Sequence, residues 1–164
     1  MSIGITLEEL LSWNEQSAGY WKAHLEANPN LLELPCGIGG AATVQDLVRH
    51  IWGGELRWCE RLAGTPETPR EKIPGGPLDA LYDLHLQSTV IFRNLLSAPE
   101  RFWSEPYVLP FDWMPEELRT VTRRKIAAHT LFHSQRHWAQ LATLVRNAGF
   151  PSGFRGDVIF ASFS

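Results

Sequence analysis

Residues 129–140 read HTLFHSQRHWAQ, where His129, His133 and His137 recur every four positions and Gln140 follows three later. On an α-helix each step of four advances only about 40° around the axis, so these side chains stack along one face. Ile126, Leu141 and Leu144 share the stripe. The imidazoles therefore stand at the flank of a buried face, where a desolvated ring needs a partner. The pattern predicts one long helix from Pro115 or Leu118 to Ala148, stopped by Gly149 and Pro151.

Three further stretches carry the same periodicity between Gly/Pro punctuation. The first spans Thr6 to Ala27, with Leu7, Leu10, Leu11, Ala18, Trp21 and Leu25 in register, and NPNLLELPCGIGG (28–40) ends it. The second spans Val44 to Ala63. Thr43 is its N-cap, Asp46 completes a capping-box pattern, and Gly64 and Pro66 close it. The third runs from Pro77 to Ser97, with Leu78, Leu81, His85, Ser88, Phe92 and Leu95 on one stripe. Between the third and fourth helices, FWSEPYVLPFDW (102–113) reads as a crossover loop packed on the helices, with an extended strand or hairpin as the alternative. The expected fold is an all-α four-helix bundle with a long crossover between helices three and four, one domain over 1–164.

Composition agrees. A chain of 164 residues, 44% hydrophobic and 20% charged, is long enough to bury a core of its own. A net charge of -3 offers no general basic surface to nucleic acid, and Arg119, Arg123, Arg124 and Lys125 read as the solvated first turns of a helix. Apolar stretches fall short of the roughly 20 residues a membrane span needs, and MSIGITLEELLSWNEQ has no signal-peptide pattern, so the expected location is cytoplasmic. Cys36 and Cys59 form no CxxC pair and read as small buried apolar groups. Most of the seven tryptophans are expected in the core.

An i, i+4 histidine pair brings two imidazole nitrogens within reach of one metal ion. The same residues are equally consistent with core-edge histidines bonded to one another or to backbone carbonyls. Ser134 stands where an HExxH protease has its glutamate, which disfavours that class. A third ligand must come from elsewhere. His50 on the second helix is the first candidate and His85 on the third is the second, although His85 lies on an apolar stripe and fits a core position. Asp46, one turn before His50, either orients it or simply caps its helix. His24 reads as a surface residue.

LVRHIWGGELRWCERLAG (47–64), followed by HTLFHSQRHWAQLATLVRNAGFP (129–151), resembles the DinB-like (damage-inducible, YfiT-like) superfamily in order and spacing across essentially the whole chain. The resemblance implies a four-helix bundle, often a homodimer, that binds nickel or zinc through three histidines at an open site. The matching positions are His50, His133 and His137. Where the family often reads H-R-G-Q, this chain has His137, Trp138, Ala139 and Gln140.

Three neutral imidazoles with a vacant position describe a catalytic metal site, since structural zinc is usually closed by four protein ligands. Similar proteins include transferases and isomerases that use low-molecular-weight thiols. The first expectation is therefore a metal-dependent transferase that joins such a thiol to a small-molecule substrate, with His129 and Gln140 supporting the ligands and no general base identified. A hydrolase using metal-bound hydroxide is the alternative, with Glu55 or His85 to shuttle protons, Glu55 otherwise being ordinary helix surface. A non-catalytic, stress-associated metal-binding protein is the third. The many tryptophans and the family habit also predict a homodimer.

Overall fold

A computed structural model describes residues 4–163; Met1–Ile3 and Ser164, part of the expected domain, lie outside it. The chain is mostly helical. Four long helices, α1 (Leu7–Ala27), α2 (Val44–Ala63), α3 (Leu78–Leu96) and α6 (Arg123–Asn147), frame it, and short elements fill the connection between α3 and α6. Each long helix packs on two others: α1 and α2 both lie against α3 and α6.

Local chemistry sets the ends. Thr6 and Glu9 cap α1 reciprocally, and Thr43 and Asp46 do the same for α2. Gly64 ends α2 in the left-handed region at φ 74°, a backbone state that a Cβ penalises. Pro77 is the residue before α3 and not its first turn.

The fourth helix starts later than its sequence pattern suggested. Thr122 is its N-cap, accepting from the Lys125 amide at 3.2 Å, and the preceding residues do other work. After a single helical turn, α5 (Glu116–Arg119), Thr120–Thr122 forms strand β2, paired antiparallel with β1 (Pro106–Val108). A Thr-Val-Thr run favours extended backbone, and Leu118 is exposed, so no apolar stripe pulls this segment into the helix. The crossover thus contains the alternative strand as well as a short helix, α4 (Glu100–Ser104). It packs on the helices through Trp103 and Leu109, both buried. Arg119 clasps its turn by donating to the carbonyls of Asp112 and Met114. The basic cluster is not a free patch: Arg123 pairs with Glu105 and the Leu62 carbonyl, and Arg124 with Glu100.

The core has two apolar halves. One gathers Trp21, Trp52 and Trp138, all fully buried, with Trp138 stacked on Trp21 at 5.8 Å between ring centroids and edge-on to Trp52 at 5.6 Å. The other holds Leu11, Cys59, Leu62, Phe92, Ile126 and Leu131. Where each helix passes from one half to the other it carries buried polar residues: Asn14 and Ser17 on α1, Glu55 on α2, His85 on α3, Ser134 and Gln135 on α6. Their side chains bond to one another. Glu55 accepts from Asn14 (2.8 Å), Ser134 (2.6 Å) and His85 Nδ1 (2.7 Å), and Gln135 bonds Ser17.

After α6, Phe154 packs on Tyr20 and Trp21, and Gln16 exchanges two hydrogen bonds with the Ser162 backbone. Cys36 and Cys59 are free, and burial pushes the Cys59 thiol well up. Among the described residues no helix is long and apolar enough to cross a membrane.

Candidate metal centre

α2 and α6 pack side by side, and the contact brings His50 to His133 and His137. One nitrogen from each ring lies within 4.8 Å of the other two. His50 Nε2 and His133 Nε2 are 3.2 Å apart. Two imidazole nitrogens bonded to one tetrahedral ion, each at about 2.0–2.1 Å, stand roughly 3.3 Å from each other, so this pair is already at the spacing a shared ion requires. Two neutral rings can also meet at that distance through a single shared proton, which makes no use of the third ring, although a nitrogen of His137 lies within 4.8 Å of both.

Protonation favours ligation. Burial, reinforced by the neighbouring histidines and Arg136, holds His133 down to about 3. His50 and His137 are likewise lowered, by burial first. All three rings are thus neutral near pH 7 and offer lone pairs. His137 Nδ1 donates to Gln140 Oε1 at 2.8 Å, which leaves Nε2 as the acceptor; at present it takes a hydrogen bond from Arg136 Nη2 at 3.3 Å. His133 Nδ1 is buried without a partner. Gly39, at φ 60°, lies close enough that a Cβ there would sit 3.6 Å from the His137 ring, so the loop before α2 closes over the site on a residue that favours glycine.

The other anticipated residues fall elsewhere. His129 is edge-on to Trp58, one turn short of the cluster, and its pKa is lowered by burial. Asp46 lines the space beside His50, but its hydrogen bonds go to Thr43. His85 is not a third ligand: it is buried against Glu55 in the polar layer of the core. Glu55 is likewise buried, in place of the helix-surface position expected of it. His24 is half-buried, stacked on Tyr20 and lowered by burial.

A cavity of about 480 Å³ opens beside His50 and His133. Its wall includes Arg57 and Arg61, neither of which the motifs in the sequence single out. Their spacing carried a signal: His50, Gly54, Arg57 and Arg61 follow one another by four, three and four, a single stripe of α2. Gly53, next to that stripe, admits the loop after α2, since a Cβ there would lie 2.9 Å from Ile73 Cγ2.

No curated protein matches this sequence. The DinB family model matches residues 1–154, a span that includes both helices bearing the three histidines, and the chain belongs to the DinB family.

Proposed function

We propose that His50, His133 and His137 hold one divalent ion, zinc or nickel, with a coordination position left open, and that the centre serves a transferase acting on a low-molecular-weight thiol. The observation that carries the metal reading is the convergence of three neutral ring nitrogens, two of them 3.2 Å apart, from two different helices. An ion bound there would supply Lewis acidity, drawing the pKa of a bound thiol or water toward neutrality. The chain's own part is to place the rings. Gln140 fixes the His137 tautomer, and Trp58 and Phe111 give the cavity an apolar flank that keeps part of it dry.

Thiol chemistry is favoured over hydrolysis by the position of Glu55 and His85, the two residues expected to shuttle protons for a hydrolase. Glu55 and His85 bond to each other in the core, away from the cavity lining, where they cannot relay a proton from a bound water. The four long helices are read as a four-helix bundle in the cytoplasm, paired as a homodimer. Trp21, Trp52, Trp103 and Trp138 are buried and give that pairing no surface; exposed Trp113, and exposed Leu86 and Val90 one turn apart on α3, support it.

Metal analysis of protein purified without a histidine tag tests the centre. About one divalent ion per chain is expected, most of it lost in His133→Ala. Equal metal in wild type and in His50, His133 and His137 variants would overturn the assignment. A cobalt-substituted protein should change its visible spectrum when a thiol is added, and no response to any small thiol would remove the transferase reading. Light scattering at micromolar concentration tests the dimer, and a monomer mass excludes it.

A further inference from the structure

The cavity beside the histidines has a charge that its neighbours do not balance. Arg49, Arg57, Arg61 and Arg70 line it, against a single lining carboxylate, Asp46. Arg49 is committed to structure, since it donates to the carbonyls of Arg70, Ile73 and Pro74 and so holds the loop after α2. Arg57 and Arg61 are different. Both reach for the same oxygen, Glu67 Oε2, at 3.0 and 2.5 Å, so two guanidiniums share one carboxylate. The Nε of each is buried with no partner.

Arg61 is only 3% exposed. Its guanidinium lies 4.3 Å from the Trp58 ring centroid and 4.9 Å from that of Phe111. Ring faces repay only a fraction of the cost of taking a cation out of water, and half a share of Glu67 does not supply the remainder. Arg70, at the rim, adds to the field and helps to lower His50. The three histidines contribute no negative charge, so any divalent ion they hold adds to the excess.

We propose that this cavity is an oxyanion site: Arg57 and Arg61, tied by Glu67, receive a carboxylate or phosphate group of a ligand whose other end meets the histidine cluster. A planar, fixed fork of donors suits either group, and two adjacent forks on one helix face suit it better. As a statement about the arginines this stands without the metal. As a statement about substrate it rests on the proposed metal centre, and it then narrows the thiol to one that carries an acidic group.

Calorimetric titration of metal-free protein with inorganic phosphate and, separately, with malonate tests the site, and the preference between them tells which oxyanion it favours. Binding of at least one at millimolar concentration is expected, weakened roughly tenfold in Arg57→Gln. Glu67→Gln, which frees both guanidiniums from their competing carboxylate, should bind the anion severalfold more tightly. That gain cannot come from a damaged fold, so it decides the matter if Arg57→Gln proves unstable by circular dichroism. Because this titration uses metal-free protein, its outcome does not depend on whether the histidines hold an ion, which separates failure of the metal reading from failure of this one. In metal-loaded protein, 3-mercaptopropionate should bind more tightly than the neutral 2-mercaptoethanol, and Arg57→Gln should erase the difference. Absence of heat with both anions, or unchanged affinity in both Arg57→Gln and Glu67→Gln, overturns the proposal.

Discussion

At the scale of residues, the histidines divide by what surrounds them. His133 sits among other imidazoles and is held down to about 3, whereas an unfolded histidine titrates near 6.5. Between those values the unfolded chain takes up a proton that the folded chain refuses, so stability is lost as pH falls from about 6.5 toward 3. His50, His129 and His137 are lowered too and act in the same direction. The metal-free protein should therefore melt at a lower temperature at about pH 5 than at about pH 7.5, and His133→Asn should show a shallower fall. Equal slopes in the two proteins would show that His133 is not the group responsible. The same residues show what one chain can disclose about a site. His133 and His137 were visible because helical spacing alone aligns them, and His50 was the first candidate for a third ligand on another helix, a position the family order then matched. Arg57 and Arg61 were not visible, since a charged stripe on an amphipathic helix looks the same whether it faces water or a cavity.

At the scale of elements, boundaries written in capping chemistry were legible and the one written in tertiary pairing was not. Thr43/Asp46 announces α2 in the sequence and appears in the structure as reciprocal hydrogen bonds, and Thr6, read as the first residue of α1, proves to cap it in the same way with Glu9. The start of α6 has no such mark. Glu116–Arg119 do form a helical turn, and it is the antiparallel pairing of Thr120–Thr122 with Pro106–Val108 across the crossover that separates this turn from the long helix. Thr122→Ala distinguishes the two possibilities by the sign of its effect in urea unfolding. As an N-cap, Thr122 should cost about 1 kcal/mol on replacement. Were the helix to begin at Leu118, the same change would fall within it and be neutral or slightly stabilising, by roughly 0.5 kcal/mol.

For the molecule as a whole, the polar layer between the two apolar halves fixes how the four long helices align. Glu55 is its hub, with bonds reaching α1, α3 and α6. Sliding any helix by one turn would leave a buried carboxylate or its donors unpaired. Glu55→Ala should thus cost about 3–5 kcal/mol, as expected when one member of a buried charged network is removed, and a loss below about 1 kcal/mol in denaturant unfolding would show that the layer is incidental. The apolar half next to the histidines has a different consequence. Trp138 follows His137 directly in the chain and stacks on Trp21, with Trp52 edge-on to it, so three sheltered indoles lie on the histidine side of the protein, and Trp58 lines the cavity itself. An ion with an unfilled d shell, such as nickel or copper, accepts excitation energy from a nearby indole, whereas zinc, with its filled shell, does not. The tryptophan core that holds the helices together is thereby also an optical gauge, able to report both the occupancy of the histidine cluster and the kind of ion that fills it.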